Sequence, residues 1–130
     1  MIVKKEQIPQ EKVAHLFKGD GYVLVEELLA DEVLPPKARK FAVYTLQPKC
    51  CVGKHFHVGE TQMVYCIQGS GRIDDNGTVA QLEAGDAAYC PSGEYHSVEN
   101  TGNEPMRFLV LSVLDPATGK EDGPVCISSL

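Results

Sequence analysis

The feature that most narrows the fold is a rhythm that begins at Tyr22. Short segments rich in β-branched and aromatic residues recur at Tyr22–Val25, Phe41–Leu46, Met63–Ile67, Thr78–Leu82, Ala87–Cys90 and Arg107–Val113, and Gly, Pro, Asn and Asp separate them. Such segments read as strands, and closely spaced short strands build a sandwich or a barrel. The clearest turn is Asp74-Asp75-Asn76-Gly77. Asn-Gly accepts the positive φ angles of a tight hairpin, so Gly71-Arg72-Ile73 and Thr78-Val79-Ala80 are expected to be antiparallel neighbours.

Elsewhere the rhythm changes. Residues 10–18 place Val13, Leu16 and Phe17 at roughly helical spacing before Gly19, which predicts a short helical turn. Leu34-Pro35-Pro36-Lys37 interrupts regular structure. No repeat or long linker divides the chain, so we expect one domain over residues 1–130, with N-terminal strands at 20–46, a core at about 41–114 and an extended tail at 115–130. The apolar Val125-Cys126-Ile127 in that tail is expected to pack against the barrel or a second subunit. A chain of this length buries roughly 65–70% of the surface its unfolded form exposes, enough for one ordinary core.

Several function classes are disfavoured. The net charge is −6 and the twelve Lys and Arg are scattered, whereas nucleic-acid binding draws on clustered cations. No apolar run approaches a membrane span, and the first nine residues lack the apolar stretch of a secretory signal, so a cytoplasmic location is expected. The five cysteines are then expected as reduced thiols. Without a Cys-x-x-Cys pair, a structural zinc site is not expected.

The chemistry gathers around His55, His57, Gln62 and His96. Residues two apart in a strand share a face, so the imidazoles of His55 and His57 can point at one spot inside a barrel. Gln62 opens the next apolar segment after a turn at Gly59, and His96 follows the strand break at Pro91-Ser92-Gly93. Three imidazoles and one amide oxygen leave coordination positions open for water or substrate, as in catalytic metal sites. Glu60 is a rival for the fourth position, but it sits where the turn should be and reads as a solvated residue. His15 reads as a surface residue.

These positions resemble the two motifs of the cupin superfamily, G-x(5)-H-x-H-x(3,4)-E-x(6)-G and G-x(5)-P-x-G-x(2)-H-x(3)-N. Gly85, Pro91, Gly93, His96 and Asn100 match the second motif throughout. In the first, His55, His57 and Gly69 keep their spacing, Gln62 stands in the place of the glutamate, and the opening glycine is displaced to Gly53. The resemblance implies an all-β, double-stranded β-helix barrel, one divalent ion on His55, His57, Gln62 and His96, and a homodimer.

A neutral amide in place of a carboxylate leaves the site one unit more positive, which favours Lewis-acid chemistry on a small oxygen-rich substrate. Isomerase, lyase or cyclase activity is the expectation drawn from this and from Gln-bearing cupins. A cupin dioxygenase using Fe, Ni or Mn and a non-catalytic ligand-binding or sensing module are the alternatives. Mn, Fe, Co, Ni and Zn all accept this donor set. Candidate pocket residues are Tyr44, Tyr65, Tyr89, Tyr95, Cys66, Arg39, Lys49 and Arg107, with Asp115 near the rim, and no catalytic base is assigned. If Gln62 faces the metal, Val64 and Cys66 share its face and Met63, Tyr65 and Ile67 point outward. Ordinary imidazole basicity predicts metal loss below about pH 6.

Overall fold

The Asn-Gly hairpin is present as expected. Strands β6 (Ser70–Asp75) and β7 (Thr78–Glu83) run antiparallel with Asp75 opposite Thr78, and Asn76 and Gly77 carry φ angles of 50° and 97° between them. The computed structural model describes residues 1–115 and 124–126. Among these the remaining strands are β1 (Gln10–Ala14), β2 (Tyr22–Glu27), β3 (Ala38–Leu46), β4 (Cys51–His57), β5 (Glu60–Gln68), β8 (Ala87–Cys90), β9 (Tyr95–Glu99), β10 (Met106–Leu114) and β11 (Pro124–Cys126). None of the described helices is long and apolar enough to cross a membrane.

The strands form two antiparallel sheets, β1-β2-β3-β10-β5-β8 and β11-β4-β9-β6-β7, whose inner faces enclose one core as a double-stranded β-helix. In the first sheet, register lines up inward side chains in rows across strands. Lys40, Ser112, Gln62 and Cys90 form one row; Ala42, Val110, Val64 and Ala88 form the next; Tyr44, Phe108 and Cys66 lie deeper. The first row holds charged and polar groups, and the deeper rows are mostly apolar. Met63, Tyr65 and Ile67 alternate with Gln62, Val64 and Cys66 on β5, and Tyr65 and Ile67 are exposed on the outer face.

Three sequence expectations need correction. Residues 10–18 are not one helical turn: β1 pairs with β2 along its length, and only Leu16–Lys18 forms a 3₁₀ turn. The spacing of Val13, Leu16 and Phe17 arises from a strand followed by a kink, which periodicity does not distinguish from a helix over so few residues. Cys66 does not line the cavity: it is fully buried in the core, and its thiol is directed at the Gln68 and Gly69 carbonyls. Glu60 begins β5 instead of sitting in a solvated turn, and it is 3% exposed. Of the tail, Val125 and Cys126 pair with β4, and no disulfide joins the described cysteines. Residues 116–123 and Ile127 lie outside the described residues.

Candidate metal centre

The three histidines meet because β4 and β9 are neighbours. His55 lies opposite His96 in the ladder, and His57 follows two residues along the same inward face. Between Val52 and His55 the register shifts by one residue, so β4 carries a bulge at Gly53 and Lys54. The extra residue lets Val52 and His55 both point inward although they are three apart.

His96 Nε2 stands 3.1 Å from His55 Nε2 and 3.2 Å from His57 Nε2. Two nitrogens each about 2.1 Å from one ion lie about 3.0 Å apart at a right angle and about 3.4 Å apart at a tetrahedral angle. The observed spacings fall between these values. His55 Nδ1–H donates to the Gly53 carbonyl at 2.8 Å, and His57 Nδ1–H donates to Glu60 Oε1 at 2.9 Å. Both partners accept only, so both rings present a bare Nε2 lone pair to the centre. Three imidazole nitrogens converge at hydrogen-bond range, and the trio can hold a metal ion.

Glu60 is therefore an orienting group on the far side of the His57 ring and is not placed at the point where the Nε2 atoms converge. The residue was legible as a carboxylate, but its role depends on the Gly59 turn (φ 73°) folding it back onto His57 three positions earlier. Gln62 lies in the wall of the same cavity, where its amide nitrogen donates to Ser112 Oγ at 3.0 Å. Ser112, its cross-strand partner, was not singled out in the sequence because only the register reveals it.

Burial sets the electrostatics. Desolvation lowers the His55 pKa to about 4 despite the hydrogen bond to Gly53, and desolvation reinforced by its two histidine neighbours lowers His96 to about 2. Both rings are thus neutral and available to a cation at neutral pH. They open into a cavity of about 320 Å³ whose wall includes Arg39, Lys40, Tyr44 and Asp31. Burial also raises the Tyr44 pKa, which keeps its hydroxyl protonated.

The cupin-domain family profile matches residues 42–112, the stretch that contains all three histidines. The chain is a cupin. The "Oxalate-binding protein" of Thermotoga maritima is 40% identical to it over 114 residues, which cover 88% of this chain and 94% of that protein. The crystal structure of a predicted oxalate decarboxylase from the same organism superimposes with a TM-score of 0.85 at 39% identity, covering 88% of this cupin and all of that chain. The polyketide cyclase RemF from Streptomyces resistomycificus shares the fold at a TM-score of 0.74 and 19% identity, over 94% of this chain and 88% of its own.

The other candidate pocket residues of this cupin scatter. Tyr65 and Tyr89 are exposed on the outer face, and Tyr95 lies beneath the Lys54 ammonium, 5.2 Å from the ring centre. Arg107 pairs with Glu26 at 3.3 Å. Lys49 occupies a turn with φ 71° and donates its backbone N–H to Asn100. Asp115 accepts from the Thr61 hydroxyl at 3.3 Å beside the β4–β5 turn. Of the eight, Tyr44 and Arg39 reach the cavity. Asn100, the last residue of the second motif, is structural: its amide donates to the Leu46 and Glu104 carbonyls and accepts from Gly102 N–H.

Proposed function

We propose that this cupin binds a small dianionic carboxylate, of the size of oxalate, at a divalent metal centre held by His55, His57, His96 and Gln62. The observation that carries this reading is a charge balance. Around the cavity the formal charges of Arg39 and Lys40 are offset by Asp31 and Glu60, and imidazole ligands and the Gln62 amide bring no charge to an ion. The lining side chains sum to zero and Glu27, paired with Lys40, adds one negative charge behind them, so part of the ion's double charge is left for an anionic ligand to neutralise.

The remaining features agree. Ser112 occupies the amide nitrogen of Gln62, which leaves Oε1 as the atom to face a cation. Burial works against the charge on Lys40, but Tyr44 and the Glu27 carboxylate, 3.3 Å away, outweigh it and raise its pKa. Its ammonium therefore persists in the wall. A cavity of about 320 Å³ lies at the small end for ligand sites. The relative's name, oxalate-binding protein, points to the same ligand class. When bound, the ion supplies Lewis acidity toward carboxylate oxygens.

Titration of the Mn-loaded protein with oxalate and with acetate tests this. Oxalate should bind at least about tenfold more tightly, a gap of about 1.4 kcal/mol. Gln62→Glu should tighten the ion and weaken oxalate, because the added carboxylate takes part of the charge that the ligand would neutralise. Equal affinity for the two anions would overturn the proposal.

A second reading adds turnover of the lyase type. It rests on Tyr44, whose protonated hydroxyl in the cavity wall is a proton donor. Oxalate and one proton would yield formate and carbon dioxide. Carbon-13 oxalate followed by NMR separates the readings, since labelled formate marks an enzyme and unchanged label marks a binding module.

A further inference from the structure

The segment His15–Gly19 carries a strained backbone. His15, Phe17 and Lys18 carry φ angles of 53°, 51° and 63°, a left-handed conformation that bulky side chains rarely adopt. Strain of this kind persists only where the surroundings impose it, and it gathers at functional sites. Here the surroundings are the histidine strand. The Phe17 ring stacks on the His55 imidazole with centroids 4.1 Å apart and planes 17° apart.

The backbone is fastened to the same place. Gly53 lies against the Phe17 carbonyl so closely that a Cβ there would overlap the oxygen, and a Cβ on Gly19 would overlap the Cys51 carbonyl. The Cys126 thiol adds a hydrogen bond to the Phe17 carbonyl at 3.4 Å. Gly53 is also the residue whose carbonyl holds His55 Nδ1, and it sits in the β4 bulge. This accounts for a glycine two residues before His55: the position must admit another backbone.

We propose that Phe17 is a positioning residue for His55, held in a left-handed backbone so that its ring fixes the tilt of the imidazole at the metal centre. The proposal rests on the three-histidine reading of that centre. The Gly53 hydrogen bond sets rotation within the imidazole plane, and the stacked ring sets the orientation of the plane itself. His57 and His96 have only histidine rings among the ring contacts described. Outer groups that orient metal-bound imidazoles alter metal affinity by about 10- to 100-fold.

Co(II) is the probe, because its visible bands report coordination geometry and a competing chelator reports affinity. Phe17→Ala and Phe17→Gly, each shown to be folded by circular dichroism, should weaken Co(II) by about tenfold or more and shift the bands. Glycine relieves the left-handed backbone, so a shared defect in both variants assigns the effect to the missing ring. Phe17→Tyr should restore affinity and spectrum. Phe17→Leu keeps apolar bulk without a flat face, and should be folded with a shifted spectrum even if the smaller replacements unfold. Unchanged bands and affinity in the folded variants would overturn the role of Phe17. A wild-type chain that takes up no Co(II) would instead remove the histidine-site reading, and this proposal with it.

Discussion

Two levels of the same barrel are built from the same strands and held by different forces. At the metal level the inward positions are Lys40, Ser112, Gln62, His55, His57 and His96, and hydrogen bonds to Gly53, Glu60 and Ser112 hold His55, His57 and Gln62 in place. Deeper, the positions are Leu46, Met106 and Cys66, buried by packing, with Phe108 and Val98 packed on them and also lining the cavity. There the polar exception, Asn100, spends its amide on backbone carbonyls of the closing loops. A packed core does not depend on what is bound above it, but a convergent donor set depends on every strand beneath it. The fold should therefore survive loss of the site, and the site should not survive loss of the fold.

The most severe test is His96→Ala. Its Nε2 lies between the other two, so metal content measured by element-resolved mass spectrometry should fall from about one ion per chain to background. The thermal midpoint should stay within a few degrees of the wild-type apo protein. An unfolded variant would break the comparison by making the metal level structural.

Phe108→Ala attacks the other level. The ring is 2% exposed and packs against Tyr44 at 5.6 Å, so its removal should cost about 3–5 kcal/mol in denaturant unfolding. The fraction that remains folded should still bind one ion per chain. Folded protein without metal would show that the levels are coupled.

The third test uses pH. His55 and His96 are held below the ordinary imidazole pKa of about 6.5, so below that pH the unfolded chain takes up protons that the folded chain refuses. Stability of the apo protein should be full above about pH 6.5 and decline as the pH falls. His55 alone should contribute a loss on the order of 3 kcal/mol by pH 4. A flat stability profile over that window would mean that the rings are solvated. The same burial corrects the expectation of metal loss below about pH 6. Protons compete weakly for His55 until about pH 4, so metal release should be displaced downward.

What the sequence disclosed follows from which interactions are local. The Asn-Gly hairpin, the shared face of His55 and His57 and the outward set Met63, Tyr65 and Ile67 all depend on neighbours within a few residues, and all are present. The place of Gln62 beside Ser112 depends on strands fifty residues apart falling into register, which no local pattern encodes. Glu60 was misread because a turn glutamate is ordinarily solvated, and its burial follows from His57 supplying a donor. Phe17 was misread as part of a helical period, since left-handed backbone at an aromatic residue leaves no mark in composition.

The pairing of β11 with β4 has a consequence for biosynthesis. Pro124, Val125 and Cys126 stand opposite His57, Phe56 and His55, and the Cys126 thiol also reaches Phe17, 109 positions earlier in the chain. Contacts of such long sequence separation form late, after the entropy of closing the intervening loop has been lost. Synthesis runs from the N-terminus, so β4 keeps an open edge until residues 124–126 have emerged. The nascent chain can complete its interior before it completes the strand that carries two of its histidines.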